Sequence, residues 1–397
     1  MRAVPERPTY LDHAATSPLR DEVWDAMAEV AREADFNASS LHRAGQAAHA
    51  RLEEARREIA GHLGCPRSEV VFTGGGTQSD NLAVLGFARA HADRDPAIFV
   101  SAVEHRAVLA AAEHAAGEGA RVERIPVDRS GTVDLDVLAD LLGEAVGRPT
   151  LVSLMWANNE VGVVQPVAEA ARLATGHGAT LHTDAVQALG KVSVSLDDLP
   201  PILLTATAHK LGGPVGVGLL RVPPDVELTP LAFGGSQEQG LWPGTANPVG
   251  ATGFAAAMRL ACGERAENAR RWRRLRDGLV DELRGRIPDL RVHGGEASRR
   301  LPHLLSVGVP GVDTGSLLVS LDLEGIAVSA GSACSSGSSS PSHVLKAMGI
   351  TVDPADYGVL RFSFGPETGD DEVARAAQRV PTVVERLRAA TATGSRR

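Results

Sequence analysis

Seven apolar runs of strand length lie between Val70 and Leu220 and constrain the fold more than any other feature of the chain. They are Val70 to Thr73, Ala97 to Val100, Val122 to Pro126, Leu151 to Met155, Thr180 to Thr183, Leu203 to Ala206 and Val217 to Leu220. Between them, Thr77 to His91, Arg106 to Glu118, Leu135 to Leu142 and Val167 to His177 have the apolar period of helices. This alternation builds βαβ units, and it predicts an α/β protein with a mainly parallel sheet flanked by helices. In open α/β sheets, ligands collect beyond the carboxyl ends of the strands, where short loops meet helix N-termini. Residues just after the strands are therefore the first candidates for chemistry.

From Asn247 to about Arg286 the sequence is rich in Ala, Arg and Leu and reads as one long helix leaving this large unit. Short strands follow at Leu304 to Val309, Ile326 to Ser329 and Val359 to Ser363, with helices at Ser316 to Leu323 and Asp371 to Arg388, an α+β pattern. At about 100–200 residues per domain, a chain of 397 residues should hold two domains. We expect a large one at 1–262, with residues 1–20 packing on the small domain, and a small one at 263–397 carrying a mobile loop at 331–342. The Arg-rich run from Arg270 to Arg276 reads as a solvated helix face with Trp272 and Leu275 inward.

Lys and Arg number 40 against 49 Asp and Glu, a net charge of −9 that argues against direct binding of nucleic acid. Only three cysteines occur, Cys65, Cys262 and Cys334, too few for a four-thiolate metal site, and no metal is expected. Sparse cysteine fits a reducing cytoplasm. The first residues lack the apolar core of a signal peptide, and no later run reaches the ~18 apolar residues of a membrane span. A soluble cytoplasmic protein without membrane association is expected.

Three features at strand ends suggest one kind of chemistry. Lys210 follows an apolar strand and precedes a Gly-Gly turn, where partial desolvation would lower its pKa and allow imine formation. Taken alone, an ordinary surface lysine is the simpler reading. Asp184 ends another strand, 26 residues earlier, where a carboxylate must pair with a cation or cap a helix. Thr73 and Thr77 enclose Gly74, Gly75 and Gly76 between a strand and a helix, a turn that can cradle one phosphate. Neither nucleotide fingerprint is met, because the turn is not GxxxxGK[ST] and the GxGxxG-like string Gly213 to Gly218 precedes a strand. A phosphate cradle, a strand-end Asp and a strand-end Lys together match the parts of a pyridoxal-phosphate enzyme.

Nine strings, in order, make the likeness specific: YLDHAATSP, FNASSLHRAGQ, VVFTGGGTQSDNLAV, VEHRAVL, WANNEVGVVQP, HTDAVQALGK, AHKLGGPVGVG, SAGSACSSG and LRFSFG. With them the chain, from Tyr10 to about Arg388, resembles the cysteine desulfurases, class V aminotransferase relatives among the fold type I pyridoxal enzymes. The resemblance implies a large domain with a seven-stranded sheet and a smaller α+β C-terminal domain. It implies pyridoxal 5'-phosphate as cofactor, L-cysteine as substrate, a homodimer, and a sulfur-acceptor protein, either a scaffold or a thiolation enzyme, as partner. Residue by residue, Lys210 would hold the cofactor as an imine and Asp184 would pair with its ring nitrogen. Gln187 would bond the ring hydroxyl, and His105 would stack on the ring and move protons. Gly76, Thr77, Thr207 and His209 would hold the phosphate, with Thr245 from a second subunit. Asn159, also a cofactor-binding residue, and Arg361 would receive the substrate carboxylate, and Cys334 would be the nucleophile that takes the sulfur. The eight residues from Cys334 to Pro341 resemble the long-loop group, which implies direct handover of sulfur for iron–sulfur assembly or for tRNA or cofactor thiolation.

Plainer readings exist for each residue. His105 could begin a helix, Asn159 could serve a turn, Arg361 could snorkel from an edge strand, and Cys65 and Cys262 are most simply small core residues. Gln78 stands where the family commonly has Glu, and Trp242 where many relatives have Arg. A different pyridoxal enzyme would share Lys210, Asp184 and His105 yet need no loop thiol, and a non-catalytic sulfur scaffold would be colourless.

Overall fold

The structure is a computed structural model and describes residues 8–34, 36–331, 342–353 and 355–394. The chain opens with β1 (Thr9–Tyr10), α1 (Asp21–Glu33) and α2 (Arg43–Leu63). The large sheet and its helices follow as β2 (Val70–Thr73), α3 (Gly76–Ala90), β3 (Ala97–Ser101), α4 (Arg106–Gly117), β4 (Arg121–Ile125), α5 (Leu135–Glu144), β5 (Thr150–Ser153), α6 (Val167–Gly176), β6 (Thr180–Asp184), β7 (Leu203–Thr207) and β8 (Gly218–Arg221). The long α7 (Pro248–Arg286) leads into β9 (Arg291–Val292), β10 (Leu304–Pro310), α8 (Thr314–Leu323), β11 (Ile326–Ala327), α9 (His343–Ala347), β12 (Tyr357–Ser363) and α10 (Asp370–Gly394).

The seven strands lie in the order β2-β8-β7-β6-β5-β3-β4, parallel except for β8, which runs against both neighbours. Most of these strands are buried along their whole length, which is why they read as continuous apolar runs rather than as alternating ones. One face carries Val71, Ile98, Val100, Leu151, Leu203 and Leu220 against Leu82 and Phe87 of α3 and Val108 of α4. The opposite face carries Phe72, Phe99, Val152, Leu204 and Leu219 against α2, α6 and the first turns of α7.

A second core gathers Trp272, Leu275 and Leu279 of α7, the strands β10 and β12, and Val380 and Val384 of α10. Trp272 is 2% exposed and donates its indole N–H to the Gly365 carbonyl at 2.8 Å. α7 thus belongs to both cores and runs through residues 262 and 263 without a break. β1 pairs in parallel with β11, so the N-terminal strand lies on the second core.

The outer edge of β2 is capped by side chains. Glu238 accepts from the Phe72 N–H at 2.7 Å, and Arg56 donates to the Val70 carbonyl at 2.6 Å. Arg56 and Glu238 are themselves paired through two bonds of 2.8 and 2.7 Å, with side chains 10% and 8% exposed. Removing Glu238 leaves the Phe72 N–H without its acceptor and Arg56 with Glu53, at 2.8 Å, as its remaining carboxylate, so Glu238→Ala should lower stability by about 1–3 kcal/mol. Urea unfolding measures this, and a loss under about 1 kcal/mol, the surface-pair scale, would show that the pair does not hold the edge.

Candidate active site

Asp184, Gln187, Thr207, His209 and Lys210 lie at or just beyond the carboxyl ends of β6 and β7. Lys210 closes the short turn after β7, and its ammonium donates to the carbonyls of Ala14, at 2.8 Å, and Ala15. Gln187 donates to the same Ala14 carbonyl at 2.9 Å. The segment 12–17 that supplies these carbonyls is fixed from both domains. Ser17 N–H donates to the His209 carbonyl at 2.9 Å, and Ala14 N–H to Ser363 Oγ at 2.8 Å. His209 Nδ1 meets Thr16 Oγ1 at 3.1 Å; burial, with Lys210 and Lys191 nearby, lowers its pKa to about 4, so the ring is neutral near pH 7.

Asp184, the last residue of β6, is buried and accepts the Val186 N–H at 2.8 Å. Burial raises its pKa, while the charges of His105 and Lys210 pull it back down. His105 caps α4 by accepting the Ala107 N–H on Nδ1 at 3.2 Å. That bond assigns the proton of the neutral ring to Nε2. Burial lowers the His105 pKa, opposed by Asp184. Asp184, His105 and Lys210 thus form one electrostatic group.

The glycine turn is shaped for close approach. A Cβ on Gly218 of β8 would stand 2.7 Å from the Gly75 backbone, and one on Gly76 would stand 3.2 Å from Val186. Gly75 holds φ +149° and caps α3 with no side-chain oxygen, so the first N–H groups of this helix are open to an anion. Thr207, at the end of β7, donates its hydroxyl to the Val217 carbonyl at 3.1 Å, and Thr77 is exposed in the first turn of α3. Gln78 folds back over the turn, its amide nitrogen 3.6 Å from where a Cβ of Gly74 would lie. Thr245 stands exposed in a groove that it shares with Thr73, Gly74 and Gly216, and Trp242 packs beside it against the α3 face.

Arg361 of β12 is 1% exposed. Its Nη2 donates to Asp12 Oδ1 at 2.7 Å, and its Nη1 to the carbonyls of Asn159, at 2.9 Å, and Gly331. Its Nε has no partner among the described residues. Asn159 therefore meets Arg361 through its main chain, in a loop organised by Asn158, whose side chain bonds Val103 O, Glu160 N and Val161 N. Cys334 lies outside the described residues, but both flanks of its segment are anchored here. Gly331 gives its carbonyl to Arg361, a Cβ added to it would stand 2.9 Å from Glu160 Oε2, and Ser342 Oγ donates to Glu160 Oε2.

Several participants carried no sequence signal of their own. Glu104 is fully buried, accepts the Met155 N–H at 2.6 Å and is pushed well above the usual carboxylate range by burial. Asp80 of α3 is raised in the same way by burial and by Asp184. His182, two residues before Asp184 on the same strand face, bridges Ser153 Oγ at 2.8 Å and Thr205 Oγ1 at 3.0 Å; burial lowers its pKa to about 3. The one prior hint was polar residues beside strand ends in otherwise apolar runs.

Comparison with known proteins gives a single answer. The aminotransferase class-V family model matches residues 9–375. The chain belongs to this family. Class-V members are pyridoxal-phosphate enzymes. The chain is similar to "Cysteine desulfurase IscS" of Dictyoglomus turgidum, 39% identical over 383 residues that cover 96% of each chain. It is similar to a solved "NIFS-LIKE PROTEIN" at TM-score 0.88 and 34% identity, covering 96% of this chain and 100% of that one. It also resembles the solved "SspA in complex with cysteine", at TM-score 0.76 and 29% identity over 91% of this chain and 99% of that one. The residues present fit the class-V cofactor: Asp184 is a buried carboxyl that a cationic ring nitrogen would complete, and the open N-terminus of α3 beside glycines is a cradle for its phosphate.

Beneath Lys210, the buried Lys191 donates to the Lys210 carbonyl, and burial together with the Lys210 charge lowers its pKa from 10.5 to about 7. Between those values the folded chain binds fewer protons than the unfolded one, so this residue makes stability rise with pH from about 7 to 10.5. Lys191→Met should flatten that rise in urea midpoints measured across the window. Parallel pH profiles in the variant and the parent would overturn the assignment.

Proposed function

We propose that this protein is a cysteine desulfurase that removes sulfur from L-cysteine, releases L-alanine and carries the sulfur as a persulfide on Cys334. The observation that carries the reading is the meeting of Lys210, Asp184 and His105 at the strand ends, with the two flanks of the Cys334 segment bonded to Arg361 and Glu160. Cys334 follows Gly331, whose carbonyl Arg361 holds, by three residues in the sequence.

Lys210, Asp184, Gln187 and His105 would hold the ring of pyridoxal phosphate, and Gly76, Thr77, Thr207 and His209 its phosphate. When bound, this group supplies an electron sink at the substrate's Cα. Lys210 Nζ, released from the Ala14 and Ala15 carbonyls, is the base that takes and returns the Cα proton. Asp184 keeps its charge only with a cation beside it, so it favours a protonated ring nitrogen. His105 offers Nε2–H, and its bond to Ala107 makes the ring a donor first and a proton acceptor only when that bond is given up. Arg361 is held by Asp12 and by the Asn159 and Gly331 carbonyls and its Nε is shielded from solvent, so it would receive a substrate carboxylate by exchanging one of these bonds, with Asn159 beside it. At Cys334 the thiolate attacks the substrate sulfur, an S–S bond forms as the C–S bond breaks, and a proton ends on the former Cβ. Atoms and electrons balance without an outside oxidant.

The sulfur would pass to an acceptor protein, for iron–sulfur cluster assembly or for tRNA or cofactor thiolation. The exposed Thr245 suits a homodimer in which each subunit lends this residue to the other's phosphate turn. No described helix is long and apolar enough to cross a membrane, and reaction in the cytoplasm is the setting we propose.

Lys210→Ala should abolish the visible absorbance of the holoenzyme and lower turnover by about 10²–10⁴-fold. Cys334→Ala should keep the absorbance and lose cysteine-dependent sulfide release. Full turnover in the Cys334 variant would instead favour a pyridoxal enzyme that needs no loop thiol.

A further inference from the structure

A cleft of about 630 Å³ opens between the large and small domains, and neither Lys210, Asp184 nor His105 lines it. Its size falls in the range of small-ligand sites, about 300–1,000 Å³. Four arginines line it, Arg273 and Arg276 from α7 and Arg299 and Arg300 from the loop before β10, against a single carboxylate, Glu169. In a chain of net charge −9, so uneven a lining is a local exception.

Only part of this charge is answered within the protein. Arg276 pairs with Asp277 at 2.8 Å and donates to the Leu301 carbonyl at 3.0 Å. Arg300 is different. Its Nε and Nη2 are both shielded from solvent and have no hydrogen-bond partner among the described residues. Burial beside Arg276 lowers its pKa to about 10, which leaves it charged near neutrality. Arg300 is half-buried, and a rotation of its side chain toward the cleft would bring these two unused donors to phosphoryl or carboxyl oxygens, which the planar fork matches in a bidentate fashion.

We propose that this cleft binds a small oxyanion of two or more charges, phosphoryl or polycarboxylate, seated on Arg300 and ringed by Arg273, Arg276 and Arg299. The occupant would brace the loop that carries Asn159. Trp156, at one end of that loop, lines the cleft and donates its N–H to the Asp184 carbonyl at 2.8 Å. At its other end, Val164 N–H donates to the Arg299 carbonyl at 3.0 Å, and Leu301 N–H to Gly162 at 2.7 Å. An anion bridging α7 and the 299–300 segment therefore grips the far side of the loop whose inner side meets Arg361. This inference stands apart from the sulfur-transfer reading, since its readout is binding.

Calorimetric titration of the holoenzyme with pyrophosphate and with citrate, at constant ionic strength, tests it. The bound cofactor already fills the phosphate turn, so that turn adds no signal. One saturable site per chain is expected, with the tighter of the two probes showing whether the ligand is phosphoryl or carboxylate. Arg300→Gln should weaken binding about tenfold, the scale of one lost charge-assisted bond. The exposed Arg273→Glu, which leaves the core untouched, should weaken it to a similar degree and serves if the Arg300 variant folds poorly. Absence of saturable binding of either probe, equal affinity in parent and both variants, or binding of polyglutamate with neither small anion would overturn the proposal.

Discussion

A cation with 1% of its surface in contact with water ties together three parts of this chain. Arg361 holds Asp12 near the N-terminus, the Asn159 carbonyl in the large domain and the Gly331 carbonyl where the small domain leads toward Cys334. Burying such a charge is costly unless it is paired, and losing one partner typically costs about 3–5 kcal/mol. The other distances at the site follow from this tie. Asp12 sets the position of residues 14 and 15, whose carbonyls hold Lys210, and the Asn159 loop sets the position of Glu160, to which Ser342 is bonded.

A second electrostatic layer lies under the first. Asp184, Asp80 and Glu104 are all buried, and three anions so close together in a medium of low polarity would repel one another. Burial drives Asp80 and Glu104 toward the protonated form, and only Asp184 has His105 and Lys210 to draw it back. His182, neutral between Ser153 and Thr205, adds no charge of its own. Negative charge is thereby concentrated on the single carboxyl at the mouth of β6, where a cationic ring nitrogen would meet it.

The central sheet is legible in the sequence because its strands are covered on both faces, so each appears as an unbroken apolar run that a one-residue error in its ends does not disguise. α7 is legible through its length. α2 is not, because its buried face mixes the small Gly45, Ala48, Ala55 and Ala60 and the charged Arg56 with Leu52, Ile59 and Leu63, and so lacks a strong apolar stripe. At the site, Lys210, Asp184 and His105 announce themselves by standing just beyond strands. Asp12, Glu160 and Asp80 do not, since a carboxylate becomes unusual only when distant segments close over it, and that closure is a tertiary event. The two Asn residues divide between these cases: the WANN string marks the loop, yet only the packing shows that Asn158 builds it while Asn159 presents its carbonyl to Arg361.

The capped border of the large sheet limits how this protein can assemble. At one border Arg56 and Glu238 occupy the outward main-chain groups of β2; at the other, β4 carries Arg121, Glu123 and Arg124 within five residues. Strand-to-strand addition is blocked at the first border and penalised by charge at the second. Association between copies along this sheet is thereby discouraged, which leaves its helix-covered faces and the loops at its ends for a defined pairing of subunits and withholds the large sheet as a template on which open-ended fibres grow.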